Sequence, residues 1–203
     1  MNKVIITIGL YLLFCLSAIT MAGEDFISEQ RKSFDTMSPE KAAAKRQKIL
    51  DMSSETLERL YKLYPETKEK IENAYGYGVF EAKAVNLVIY VAGNGFGVVF
   101  DNKTKTPIFM NSIRAGTGPG IGYKSLHGVF IFKNEAVYTQ FTTIGVQLSA
   151  SADAVVKVAG IGAEIGEAIS LIPGISYYQL TDTGLVLQAN WGITEFLRNP
   201  DLN

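Results

Sequence analysis

Hydrophobic and polar positions divide the 203-residue chain into three stretches of different rhythm. Val4–Ala22 is an apolar run without a single charge. Charges then crowd into Glu24–Glu72, where apolar residues recur at helical spacing. From Ala74 onward charges are sparse, and short runs rich in Val, Ile, Phe and Gly follow one another. The last rhythm is that of strands.

The charged stretch predicts three helices. "SPEKAAAKRQKILDM" opens with Ser38 as N-cap, Pro39 at the first helical position and Glu40 at the positive end of the dipole. A second helix is predicted in "SETLERLYKLY", where Leu57, Leu60, Tyr61 and Tyr64 make one apolar face. A third begins at Pro65 in "PETKEKIENA". Short amphipathic helices of this kind need a surface to pack on.

The β-rich stretch supplies it. "GVFEAKAVNLVIYVAG", "FGVVFD", "PIFMNSI", "GVFIF", "VQLSAS", "ISYYQL" and "LVLQANWGI" read as strands, and Asp101–Thr106 as a hairpin connection. Leu185, Leu187, Ala189, Trp191 and Ile193 alternate with polar residues, as on a strand with one dry face. "NEAVYTQF" reads as a short helix capped by Asn134. "AGIGAEIGEAISLIPG" reads as a mobile apolar connection with a helical turn or two. With no long helices between the strands, the expected class is α+β. The N-terminal helices would pack on a mostly antiparallel sheet, either a sandwich or an open barrel.

Two glycine-rich segments raise the question of a phosphate site. "GTGPGIGYKS" (Gly116–Ser125) ends in Lys-Ser, but Tyr123 stands where a P-loop needs glycine. "GNGFG" (Gly93–Gly97) resembles a shortened dinucleotide fingerprint. Both run into strand patterns, whereas a phosphate loop opens a helix. The expectation is that these glycines bend strands or let backbones approach closely.

Charge and cysteine content narrow the classes. Lys3 followed by the apolar run and the small residue Ala22 reads as a signal peptide over 1–22, cleaved before Gly23. The run is also long enough for an uncleaved anchor, so both readings stay open. Cys15, the sole cysteine, lies within it, so the mature chain would have no disulfide and no thiolate chemistry. About 180 residues remain, enough for a substantial core. They divide into a helical segment over 23–73 and a β-rich domain over 74–203. Their charge is near neutral, which argues against nucleic acid as a partner.

Catalytic chemistry is poorly provided for. His127 is the only histidine, so a multi-histidine metal site is excluded, and no nucleophile elbow lies near it. "SPEK" fits Ser-x-x-Lys in form, but the companion motifs of that enzyme class are missing and a helix cap explains Ser38. The expectation is no catalytic set, no metal and no cofactor.

The order of motifs from Ala74 to about Ile193 resembles the SYLF domain, a family of lipid-binding modules. "AYGYGVF" is similar to its opening signature, with Ala74, Gly76, Tyr77, Val79 and Phe80 at the matching positions. "GNGFGVVF", the Gly118–Gly122 pair, "NEAVYTQF", "LSASADAVVKVAG" and "SYYQLTDTGLVLQ" follow in the family's order. The chain departs from the pattern at Glu81, where many members have Pro, and at Val85 and Leu87, where many carry Lys-x-Gly.

The resemblance implies a non-enzymatic protein that binds phospholipid, phosphoinositide-like or other anionic headgroups. With a signal peptide it would act in the cell envelope, periplasmic or membrane-peripheral, or be secreted. Candidate cations are Lys83, Lys103, Lys105, Arg114 and Lys124, with Phe96, Ile121 and Tyr123 for apolar insertion. The plainer reading of each lysine is a solubilising residue on a strand edge. Two rivals remain: an envelope protein that binds a protein partner, and a carrier of an apolar ligand.

Overall fold

The computed structural model describes Asp25 and residues 37–150, 169–181, 184–185 and 191–203, with backbone alone for 86–90, 117–124, 146–150, 169–172, 181, 184–185 and 191–193. The expected signal peptide and most of the "AGIGAEIG" segment lie outside these residues. From Met37 on, the described residues belong to a single compact unit, Thr36–Asn203.

The first two expected helices are one. α1 runs unbroken over Pro39–Leu63, and α2 follows over Glu66–Glu72. Ala42, Ile49, Met52, Ser53, Thr56 and Leu60 are all buried and share one stripe of α1. No glycine or proline interrupts the helix after Pro39, so Ser53 and Ser54 are carried through rather than starting a new one. The Ser38 side chain accepts a hydrogen bond from the Lys41 N–H, as expected of an N-cap.

Several expected strands also merge. β1 spans Gly76–Asp101 and β2 spans Pro107–Phe132, joined by the Asp101–Thr106 connection. They pair antiparallel from Phe100↔Pro107 to Gly76↔Phe132, with one irregularity between Val88 and Tyr90. The segment Gly116–Ser125 is therefore strand, paired with β1. α3 (Glu135–Thr143) follows, then β3 (Val146–Ala150), β4 (Ile169–Ile172), β5 (Ile175–Thr181), β6 (Gly184–Leu185) and β7 (Trp191–Arg198). Asn134 caps α3 by accepting from the Val137 N–H at 3.1 Å. The end of the expected apolar connection, Ile169–Ile172, is a strand that pairs with β5.

All seven strands form one antiparallel sheet in the order β3-β7-β2-β5-β4, with β1 along β2 and β6 on β5. β2 carries two wings on its other edge. Met110–Thr117 pairs with β7, and His127–Phe132 pairs with β5. Laid straight, a 26-residue strand would reach about 85 Å, far beyond a domain of this size. The ribbon instead folds back at the irregularity, so that the first limb of β1 (76–88) lies against its second limb (90–101). Tyr77 and Phe100 stack across this seam with ring centroids 5.1 Å apart.

The glycines make the seam possible. A Cβ at Gly93 would stand 2.5 Å from the Lys83 carbonyl oxygen, and one at Gly95 would meet the Glu81 carbonyl and lie 2.9 Å from the Ala82 Cα. No side chain fits there. The "GNGFG" segment is thus a backbone-to-backbone contact, the close approach that its strand context predicted.

Two apolar clusters hold the fold. On the inner face Phe80, Phe130, Phe132, Phe141 and Phe196 meet, with centroids 4.9 Å apart for Phe80–Phe196 and for Phe132–Phe141. α3 supplies Phe141 and Tyr138 to this cluster. On the outer face Val79, Val98, Phe109, Val129, Ile131 and Tyr178 pack under Ile49, Met52 and Leu60 of α1 and Ile71 of α2. Val79 and Val98 come from opposite limbs of β1, so α1 covers the seam between them. The α+β class, with helices packed on an antiparallel sheet, is what the sequence pattern predicts.

Candidate functional site

The eight candidate lipid-contacting residues fall into three places. Lys103 and Lys105 sit in the β1–β2 turn. The Asp101 carboxylate accepts from the N–H groups of Lys103 at 2.6 Å and Thr104 at 3.0 Å, an Asx-type turn. These bonds, that to Thr104 first, hold the Asp101 pKa below its ordinary value. The Lys103 ammonium lies 5.4 Å from the centre of the Tyr75 ring, and Lys105 Nζ donates to Asn102 Oδ1 at 3.0 Å. Asn102 in turn donates to the carbonyls of Ile71 and Ala74, tying the turn to the end of α2. Both lysines are engaged locally.

At the far end of the ribbon four candidates come together. Lys83 pairs with Ser125, Ala84 with Lys124, Val85 with Tyr123 and Leu87 with Ile121. β2 residues 118–126 have only β1 as a strand partner among the described residues. Lys83 is exposed and reaches Glu81 at 3.7 Å, and Val85 is 42% exposed. Ser125 Oγ donates to the same Glu81 carboxylate at 3.5 Å. Roughly ten strand positions, about 30 Å, separate this bend from the turn lysines.

Phe96 and Arg114 lie elsewhere again. Phe96 is half-buried against the helix-covered cluster, with Lys48 of α1 6.0 Å from its ring centre. Arg114, the fifth candidate cation, lies mid-strand, paired with Gly93 on one side and Thr194 on the other. Cross-strand partners share a face, and Gly93 faces the interior seam, so Arg114 points inward.

Around Arg114 the inner face changes character. Along β2, Met110 and Ile108 belong to the aromatic cluster, whereas Ser112 and Arg114 follow toward the bend. Along β5, Ile175 gives way to Tyr177 and then Gln179. Gly128 leaves room for the Tyr177 ring, whose hydroxyl would lie 2.9 Å from a Cβ there. Tyr177 Oη donates to Gln179 Oε1 at 3.3 Å. Burial pushes the Tyr177 phenol up to about 12, with Arg114 opposing the rise. Desolvation likewise lowers the Arg114 guanidinium below its ordinary value. No carboxylate pairs with Arg114 among the described residues. Sequence reasoning missed this polar layer because it needs the strand register, which the glycine-rich segments hide.

His127 stands opposite Glu81 and Leu180 in the ladder, half-buried on the outer face. Ser125 donates to Glu81 rather than to a base, so the order of a Ser–His–acid relay is not formed here. Among the described residues no group of His, Cys, Asp and Glu could hold a metal ion. No helix among them is long and apolar enough to cross a membrane.

No protein-family model matches the chain. The resemblance to the SYLF domain therefore stays a reading of motif order. The chain is 29% identical over 169 residues to Beta cell expansion factor A from Aeromonas veronii. The match covers 83% of this chain and 62% of that relative, so this chain spans less than two thirds of its length.

Proposed function

We propose that this chain is an exported, non-enzymatic phospholipid-binding protein of SYLF type that acts at an anionic membrane surface of the cell envelope. One observation carries the reading. At the bend of the β1–β2 ribbon Lys83 falls in step with Val85, Tyr123 and Ile121 on the ladder, and Lys83 and Val85 are both exposed, whereas Lys124 pairs with buried Ala84, one position out of step. A cation set among apolar and aromatic residues on a two-stranded bend suits a headgroup layer over acyl chains. A lysine near an anionic surface contributes about 1 kcal/mol, so Lys83 gives roughly a fivefold preference at low salt. The Aeromonas relative is named for an effect on beta cells, and an exported protein is one that can reach other cells.

Vesicle flotation tests this. The purified chain is expected to float with phosphatidylserine-containing vesicles at low salt, to lose binding as salt rises, and to ignore phosphatidylcholine alone. The variant Lys83→Glu should weaken binding about fivefold or more, and Lys103→Glu should leave it unchanged. Absence of flotation with every vesicle would remove membrane-surface binding and favour a protein partner.

A further inference from the structure

We infer that the polar end of the sheet's interior binds one anionic group, a carboxylate or a phosphate monoester, seated on Arg114. This inference is independent of the surface reading, because it concerns the opposite face of the ribbon. The sheet's inner face is built in two layers. Next to α3 it is apolar and mainly aromatic, with Phe132 and Phe141 fully buried. Toward the bend it turns polar within two residues on β2 and β7, as Met110 gives way to Ser112 and Arg114, and Phe196 to Thr194. Opposite these groups β1 carries Gly93 and Gly95, against which the backbone of its first limb packs.

A guanidinium costs several kcal/mol to desolvate unless something compensates it. Ion pairs in proteins ordinarily provide this, yet among the described residues the neighbouring group that acts on Arg114 is a neutral phenol, Tyr177. The hydroxyls of Ser112 and Thr194 and the fork of Arg114 are all donors on one face. Donors without an acceptor charge are complementary to an anion. The aromatic layer behind them adds an apolar wall, which fits the head of an anionic amphiphile better than a fully hydrated ion. Ser112 is buried while Arg114 and Thr194 are only half-buried, so the layer grades from sealed to open along the strands.

Calorimetric titration of the purified chain with four probes tests the site: sodium laurate below its micellar concentration, inorganic phosphate, acetate and dodecyltrimethylammonium. Laurate is expected to bind one per chain, and Arg114→Gln to weaken it at least tenfold, with Arg114→Lys intermediate. Binding of laurate but not phosphate or acetate assigns the anion to an amphiphile, and binding of phosphate alone assigns it to the free ion. The inference is overturned if no anionic probe binds or if dodecyltrimethylammonium binds as tightly as laurate. It is also overturned if a folded Arg114→Gln chain binds like the wild type. Should that variant fail to fold, the Arg114 Nε resonance of the wild-type chain serves instead. It must shift as laurate is added, and an unmoved resonance in a chain that binds laurate overturns the site.

Discussion

A methyl group at Gly95 is the smallest change that asks whether the two limbs of β1 lie against each other. A Cβ there would contact the Glu81 carbonyl, lie 2.9 Å from the Ala82 Cα and 2.5 Å from Ser112 Oγ. The serine hydroxyl can rotate away. The main chain of the first limb cannot, and at the Glu81 carbonyl it must retreat by about 1 Å to reach ordinary contact distance. Such overpacking costs about 1–3 kcal/mol. Against it stands the loss of backbone freedom in the unfolded chain, which favours alanine by about 0.4–1 kcal/mol. The net expectation for Gly95→Ala is a loss of about 1–2 kcal/mol, and more for Gly95→Val.

Thermal melts followed by circular dichroism read the result directly. For a domain of this size each kcal/mol moves Tm by about 2–4 °C, so Gly95→Ala should melt about 2–8 °C lower. Asn94→Ala, on the exposed opposite face of the same strand, should stay within about 0.5 kcal/mol of wild type. Gly93→Ala presses on the same limb, at Lys83 and Ala84. Once the limbs have parted for one methyl the second costs less, so the double variant should lose less than the sum of the singles. The sign decides. A Gly95→Ala chain that melts at or above wild type would refute the folded-back ribbon, because an uncrowded strand glycine gains stability on the same substitution.

Two further outcomes follow from local geometry. Lys105 holds φ at 57°, a left-handed conformation that costs a non-glycine residue about 1–2 kcal/mol. Lys105→Gly should therefore raise Tm by about 1–3 °C while leaving vesicle flotation unchanged, and a lower Tm would contradict the turn. Tyr138 and Tyr177 are both pushed up to about 12, chiefly by burial, from an ordinary value of 10.0. Above pH 10 the unfolded chain releases phenolic protons that the fold retains, so stability falls as pH rises from 10 to 12. Urea midpoints across that window check it, and Tyr177→Phe should flatten the fall; a slope unaffected by the substitution would show that Tyr177 is not buried as a neutral phenol.

The fold class was legible because it rests on local rhythm. Helical spacing ends at Asn73 and strand patterns begin at Gly76, and Asn134 announces α3 by its own chemistry. Element lengths were less legible. Ser53 and Ser54 look like a helix start, yet Met52 and Thr56 on either side are buried under one continuous face. The limits of β1 and β2 were hidden for a related reason: glycines break alternation in the sequence while the ladder passes through them undisturbed. The candidate site suffered most from this. Whether Arg114 faces solvent or interior depends on its pairing with Gly93, and no local pattern reports a register. The half-burial of Phe96 beside α1 was not legible either, because nothing in a strand says which of its faces a distant helix will cover.

The fold-back that places the glycines also separates two functions that a sequence reading merges. Lys83 and Arg114 carry the same charge, and Lys83 lies against Gly93, the ladder partner of Arg114. Yet Lys83 is exposed at the bend, whereas Arg114 looks into the sheet between Ser112 and the Gly93 backbone. A surface cation in water contributes through long-range attraction and is screened by salt within about 10 Å at 0.1 M. A desolvated guanidinium acts through directed hydrogen bonds and is screened far less. The two readouts should therefore part. Lys83→Glu should weaken salt-sensitive flotation and spare laurate binding. Arg114→Gln should do the reverse, with laurate affinity in the wild type changing little between 50 and 500 mM salt. If both substitutions damaged both readouts equally, the bend and the interior would be one site, and the division of the ribbon into a membrane-facing outside and an anion-holding inside would have to be abandoned.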